Sequence, residues 1–101
     1  MNISYKTDNK NLNVLLSGEL DHHTASSVKD SLDKLIMEVR PKGVVFDFKN
    51  VGFMDSTGIG VLLGRYKLLK SIGAEVYLTN PSITIDRLLK LSGIYNVIEK
   101  I

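Results

Sequence analysis

The chain has 101 residues, of which 44% are hydrophobic and 24% are charged, and 13 Lys and Arg against 11 Asp and Glu give a formal net charge of +2. This length suits one domain over residues 1–101, no apolar run is long enough to span a membrane, and the scattered basic residues do not favour direct nucleic-acid binding. The absence of cysteine excludes disulfides and thiolate metal sites, and the polar amino terminus excludes a signal peptide, so we expect a cytoplasmic protein.

The chain is predicted to open with a β-hairpin. Residues 3–7 and 12–17 are predicted strands, and residues 8–11 between them are rich in Asp and Asn, which tolerate turn conformations. In the second strand Leu12, Val14 and Leu16 alternate with less apolar side chains, which indicates one buried face. Residues 18–23 are then predicted to form a loop.

Two helices flank the predicted third strand at residues 43–48. Thr24 is a candidate N-cap for the first helix, which Pro41 and Gly43 end. The second helix runs from about Thr57 to Ser71. The residues expected to face the core in these two helices are Ala25, Val28, Leu32, Leu35, Ile36, Val39, Val61, Leu62, Leu68, Leu69 and Ile72.

The remaining elements are a strand at residues 74–79, a helix that starts at Asn80-Pro81 and runs to Leu91, and a short strand at residues 97–101. The alternation of strands and helices predicts an α/β fold: a mixed sheet with an opening antiparallel hairpin, followed by parallel strands joined through helices. Sites in such sheets lie at the carboxyl ends of the strands, where residues 18–23 and 50–57 are found.

No catalytic or metal site is predicted. Ser56 lacks the preceding glycine of the hydrolase nucleophile elbow, since Asp55 and Met54 come before it and glycine comes only at Gly58. The adjacent His22 and His23 are expected to point in different directions rather than to chelate a metal as a helical pair does. Asp47 resembles the phosphorylated carboxylate of a two-component receiver, but the companion acidic pair is missing, so we expect a strand residue that faces away from the core or bonds nearby backbone.

Three glycines at the start of the second helix, Gly58, Gly60 and Gly64, do not have the spacing of a dinucleotide-binding fingerprint. We favour close approach of another backbone or a partner, and a small nucleotide-binding protein stays open as an alternative. Arg65, Lys67 and Lys70 are predicted to form a solvated basic face.

The most informative segment is residues 53–60, Phe-Met-Asp-Ser-Thr-Gly-Ile-Gly. It places the hydroxyls of Ser56 and Thr57 behind the Asp55 carboxylate, at the junction between a strand and a helix. Free N–H groups at the start of a helix favour negative charge, so a phosphate could be partly stabilised there.

Residues 18–24 and 53–67 together resemble the STAS-domain anti-sigma factor antagonists, and the match is nearest to the stage II sporulation type. The resemblance covers essentially the whole chain and implies a STAS-like fold without a cofactor. It implies that the protein binds an anti-sigma factor that is also a serine kinase, that this kinase phosphorylates Ser56, and that a phosphoserine phosphatase reverses the modification. The docking residues that it implies are Glu19, Asp21, His22, His23, Thr24, Met54, Asp55, Ser56, Thr57, Gly58, Ile59 and Gly60.

Thr57 offers a second hydroxyl, and the choice of Ser56 follows from the family pattern rather than from spacing. We expect the phosphate to block docking rather than to reshape the domain, because a buried unpaired dianion is costly at an interface. A STAS domain that serves another signalling complex, such as a stress-response sigma pathway, remains an alternative.

Overall fold

A computed structural model describes residues 1–101, and its five strands form one sheet in the order β1-β2-β3-β4-β5. The elements are β1 (Asn2–Asp8), β2 (Asn11–Leu20), α1 (Ala25–Val39), β3 (Gly43–Met54), α2 (Ser56–Ser71), β4 (Glu75–Thr79), α3 (Ile83–Ser92), a 3-10 turn (Ile94–Asn96) and β5 (Glu99–Lys100). β1 pairs with β2 in the antiparallel direction, and every other pair is parallel. The mixed α/β sheet with an opening hairpin is therefore confirmed.

The three helices lie against one face of the sheet. Right-handed crossovers between strands that are added in a single direction place each connecting helix on the same side. Side-chain burial agrees, because Val14 and Phe46 are buried whereas Asn13, Leu15 and Asp47 on the opposite face stay accessible. The core thus lies between the sheet and the helices, and the other face of the sheet is open.

β2 and β3 extend further than their sequence indicates. The sequence predicts loops at residues 18–23 and 50–57, but residues 18–20 and 50–54 pair as strands up to the contact of Leu20 with Met54. The pairing shifts register twice, once between Leu15 and Ser17 and once between Gly18 and Glu19, so β3 contains extra residues that bulge. These bulges break the two-residue alternation by which the strand would have been recognised.

Thr24 is the N-cap residue of α1, as predicted, and the helix begins at Ala25. Its side chain does not cap the helix, however, and instead accepts a hydrogen bond from the Asp21 N–H at 3.1 Å. The predicted start of α3 at Asn80-Pro81 is wrong, because α3 begins at Ile83, where the Ser82 hydroxyl accepts a hydrogen bond from the Ile85 N–H at 3.2 Å.

The predicted apolar faces of the helices largely match the core. Val28, Leu32, Leu35, Ile36, Val61, Leu62 and Leu69 are buried, and Ala25, Val39, Leu68 and Ile72 are partly buried against them. In α3, where the spacing predicts that Ile85, Leu88 and Leu89 face the core, Ile85 and Leu89 are buried and Leu88 is partly buried. Asp47 bonds nearby polar groups, as expected, since it accepts from the Lys49 N–H at 3.0 Å and from Asn80 Nδ2 at 3.2 Å.

The prediction of a solvated basic face on α2 is wrong at Arg65. Arg65 is only 7% exposed, and its Nε lies 2.8 Å from Oδ1 of Asp33 on α1. Lys67 and Lys70 are exposed, as predicted. A carboxylate on the neighbouring helix allows the guanidinium to be buried.

Candidate functional site

The two motif segments meet where β2 and β3 end. Leu20 pairs with Met54 in the sheet, and the Asp55 N–H donates a hydrogen bond to the Leu20 carbonyl at 3.3 Å. Residues 21–24, which follow β2, are therefore placed beside residues 55–60, which begin α2. The structure thus brings together the two segments that the sequence singled out separately.

Asp55 occupies the centre of this site and uses both carboxylate oxygens. Its Oδ1 accepts the N–H groups of Thr57 at 2.9 Å and Gly58 at 3.2 Å, which makes Asp55 the N-cap of α2. Its Oδ2 accepts the His22 N–H at 3.3 Å and lies 3.5 Å from Nδ1 of the same residue. One side chain therefore caps the helix and binds the neighbouring loop.

Asp55 is held in its ionised form. Partial desolvation opposes ionisation, but hydrogen bonds from the Gly58 N–H, from the backbone and ring of His22 and from the Thr57 N–H hold the pKa of Asp55 below its usual range. A carboxylate at a helix N-terminus is also favoured by the helix dipole. The site is therefore anionic before any modification.

Asp21 and Thr24 shape the turn between β2 and α1. Asp21 is 7% exposed, and its Oδ1 accepts the N–H groups of His23 at 2.9 Å and Thr24 at 3.1 Å. The Thr24 hydroxyl donates to the Glu19 carbonyl at 3.0 Å. Glu19 itself is the last but one residue of β2 rather than a loop residue, and it is exposed.

The two histidines lie side by side at the surface of this turn. We expected them to point in different directions, but their ring centroids are 3.9 Å apart with a 39° angle between the planes. The turn at Asp21 compacts the backbone enough to stack them. No group of three or more His, Cys, Asp or Glu side chains is arranged to hold a metal ion.

The start of α2 has an exposed side and a buried side. Ser56, Thr57 and Gly60 are exposed, whereas Gly58 and Ile59 are buried. A side chain at position 58 would begin 2.6 Å from the Leu20 carbonyl oxygen, so glycine is needed for α2 to approach β2 this closely. Met54, the residue before the cap, is also buried and belongs to the core.

The docking residues predicted from the sequence thus separate into two groups. Glu19, His22, His23, Ser56, Thr57 and Gly60 are exposed, whereas Asp21, Thr24, Met54, Asp55, Gly58 and Ile59 are buried or partly buried and support them. The docking set omitted Phe53, whose side chain is 53% exposed at the second bulge of β3. Its signal in the sequence is an aromatic residue at the start of the segment formed by residues 53–60.

Comparisons with known proteins agree with this geometry. The STAS domain family model matches residues 2–101. An anti-sigma F factor antagonist of Paenibacillus polymyxa is 43% identical over 84 residues, which cover 83% of this chain and 72% of that protein. An anti-sigma-B factor antagonist of Listeria monocytogenes is 35% identical over 104 residues, which cover 98% of this chain and 89% of that protein.

The fold is also similar to that of a solved structure, the Bacillus cell fate determinant SpoIIAA in its phosphorylated form. The TM-score is 0.73 at 26% sequence identity, and the match covers 99% of this chain and 91% of that one. No helix of the present chain is long and apolar enough to cross a membrane.

Proposed function

This chain belongs to the STAS-domain family of anti-sigma factor antagonists, and we propose that its unphosphorylated form binds a serine-kinase anti-sigma factor and frees the sigma factor. The kinase then inactivates it by phosphorylating Ser56, and a phosphoserine phosphatase restores it. In this proposal the chain is a cytoplasmic binding protein and a substrate of both enzymes, with no catalysis or cofactor of its own.

The observation that supports Ser56 is its exposed position where the two motif segments meet. It is the first residue of α2, its side chain is exposed, and the Asp55 carboxylate directly before it binds the exposed His22 of the neighbouring turn. A kinase can reach this hydroxyl without unfolding the helix. A partner that covers the site would cover the hydroxyl as well.

A phosphate at Ser56 would enter an environment that is already anionic. It adds roughly 1.5 to 2 negative charges next to the ionised Asp55. The N–H groups of Thr57 and Gly58 at the start of the helix, where a phosphate could be partly stabilised, already bind Asp55. The helix therefore compensates the phosphate less than its N-terminal position suggests, and burial of the dianion under a partner is correspondingly costly.

The direct test is to incubate the chain with the serine-kinase anti-sigma factor of the same organism and ATP, and to map the phosphate by mass spectrometry. We expect modification at Ser56, loss of modification in Ser56→Ala, and retained modification in Thr57→Ala, the matched neighbour. Phosphate that persists at Thr57 in Ser56→Ala at an undiminished rate would contradict the assignment.

Partner affinity provides the second half of the test. Ser56→Ala should bind the anti-sigma factor and never be switched off, whereas Ser56→Asp should bind at least about tenfold more weakly, which corresponds to roughly 1.4 kcal/mol. The measurement is calorimetry with the purified kinase. Equal affinity of Ser56→Asp and the unmodified chain would reject the charge mechanism.

A stress-response pathway is the second candidate. The observation that favours it is coverage, since the Listeria relative named for sigma-B matches 98% of this chain whereas the Paenibacillus relative named for sigma F matches 83%. The higher identity of the latter favours the sporulation type. Parallel calorimetric titrations with an anti-sigma factor of each kind decide between them, because the true partner should bind far more tightly.

A further inference from the structure

Asp55 joins two segments that are 33 residues apart in the sequence. Its Oδ2 accepts the His22 N–H at 3.3 Å and lies 3.5 Å from His22 Nδ1. We call these two contacts the Asp55–His22 link. The backbone hydrogen bond and the contact of the His22 ring both end on one oxygen atom, so a change at Asp55 acts on both.

The rest of the turn after β2 holds itself together without help from α2. Asp21 Oδ1 accepts two backbone N–H groups of that turn, and the Asp21 N–H donates to the Thr24 hydroxyl. The link is therefore an addition to a turn that is already formed. Its loss would release the His22 end of the turn from α2 while β2, α1 and the sheet keep their hydrogen bonds.

The same carboxylate lies directly before the proposed phosphoacceptor. A dianion at Ser56 repels the ionised Asp55, and it also competes for the first-turn N–H groups that Asp55 Oδ1 now binds. A protonated His22 would be attracted to the phosphate as well as to Asp55. Each of these effects weakens the contacts of Asp55 Oδ2 with His22.

We propose that the Asp55–His22 link transmits phosphorylation at Ser56 to the turn between β2 and α1, so that one modification alters both segments of the docking surface. Asp55 is in this view a positioning residue rather than a contact for the partner. The inference rests on the proposed function for the identity of the phosphorylated residue. The change that it describes is local, and it requires no rearrangement of the sheet.

The test uses the full chain with phosphoserine inserted at position 56 during synthesis, so that no kinase is needed. Amide hydrogen exchange and amide NMR shifts are compared with those of the unmodified chain. Loss of a hydrogen bond to a charged acceptor should speed exchange of the His22 N–H by about tenfold or more. Phosphoserine at position 71, at the other end of α2, is the matched control and should leave His22 unchanged.

Asp55→Asn separates transmission through the link from a direct effect of charge. Asparagine is a good N-cap, so α2 is retained, but its uncharged side chain makes the contacts with His22 much weaker. In this variant exchange at His22 should already be fast and phosphoserine 56 should add less than about twofold, while Thr57 still shifts. If the Asn variant does not fold, Asp55→Ser offers another good cap.

Two results overturn the inference. One is unchanged exchange at His22 in the phosphoserine protein, and the other is an equal phosphate effect in the wild-type and Asp55→Asn backgrounds. Neither result bears on whether the kinase binds the chain or modifies Ser56, which the affinity and mass-spectrometry experiments decide separately.

Discussion

Arg65 on α2 is only 7% exposed, and its Nε lies 2.8 Å from Oδ1 of Asp33 on α1. The N–H does not point at the oxygen well enough to form a directed hydrogen bond, so the contact is an ion pair. Lys29 also reaches Asp33, at 3.2 Å, from one turn earlier on α1 and from a more exposed position. Asp33 is thus shared between a buried cation and a solvated one.

Replacement of Arg65 by methionine should destabilise the protein, because it leaves Asp33 partly desolvated with only a surface lysine as its partner. We expect a loss of about 1 to 3 kcal/mol, between the values for exposed and for buried pairs. Lys29→Met is the matched control and should cost no more than about 0.5 kcal/mol. Urea unfolding measures both, and equal losses would show that burial of Arg65 does not strengthen its pair.

Substitution by alanine should have opposite effects on stability at two glycines in the first turns of α2. Gly58→Ala would place a methyl group 2.6 Å from the Leu20 carbonyl oxygen and should cost about 1 to 3 kcal/mol. Gly60 has no neighbouring atom within 4 Å of such a methyl group, so Gly60→Ala should stabilise the helix by about 0.5 to 1 kcal/mol.

Thermal unfolding tests this pair directly, and stabilisation by Gly58→Ala would contradict the close approach of α2 to β2. Gly60→Ala has a further use because it keeps the fold. If the anti-sigma factor packs on the exposed start of α2, this variant should bind it more weakly although it is the more stable protein.

The sheet and the helices could be predicted because their signals are local. Leu12, Val14 and Leu16 show the two-residue alternation of a half-buried strand, and the apolar residues of α1 repeat at helical spacing. The extra length of β3 could not be predicted, since its bulges put residues 50–54 out of alternation and only pairing with β2 reveals them.

The contacts of the site depend on tertiary structure, and the sequence showed them incompletely. The family pattern indicates the two motif segments, which the structure brings together, and predicts Ser56 as the phosphorylated residue. The contact of Asp55 with His22 and the burial of Arg65 each require a partner on a distant element, and no spacing rule connects those positions. The exposure of Phe53 is not evident from the sequence, because strand alternation does not reveal which side chain a bulge turns outward.

Removal of the Phe53 side chain should weaken partner binding without a loss of stability. Phe53 is 53% exposed beside the site. Met37 is also exposed, at 51%, but it lies near the end of α1, far from the carboxyl ends of β2 and β3 where the site is found. Phe53→Ala should weaken binding to the anti-sigma factor by more than about fivefold, as expected when an aromatic anchor is removed, whereas Met37→Ala should bind normally. Calorimetry measures both, and normal binding by Phe53→Ala would place the docking surface elsewhere.

The contacts of Asp86 with the carboxyl-terminal end of the chain predict that the protein loses stability in acid. Asp86 Oδ1 on α3 accepts the Tyr95 hydroxyl at 2.6 Å and Lys100 Nζ at 3.1 Å, and Oδ2 lies 3.2 Å from Lys90 Nζ. These contacts, the Tyr95 hydrogen bond above all, lower the pKa of Asp86 to about 2 from its ordinary 3.8. They tie the 3-10 turn and β5 to α3.

A pKa that is lower in the folded state means that the unfolded state binds the proton more readily. The stabilisation from Asp86 is therefore complete above about pH 4 and is lost as the pH falls toward about 2. Asp86→Asn should be less stable than the wild type at pH 7, and the difference should shrink as the pH falls through this window. Asp55 also has a lowered pKa, so the acid dependence is reduced rather than abolished in this variant.

Tyr95→Phe removes the main cause of the shift and should reproduce part of this effect, with a smaller loss of stability at neutral pH than Asp86→Asn. Asp30→Asn, at an exposed carboxylate on α1 with no ion pair, is the matched control and should change neither the stability nor its pH profile. Urea unfolding at a series of pH values measures all three variants. If Asp86→Asn stayed equally destabilised from pH 7 down to pH 2, titration of Asp86 would not be the source of the acid sensitivity.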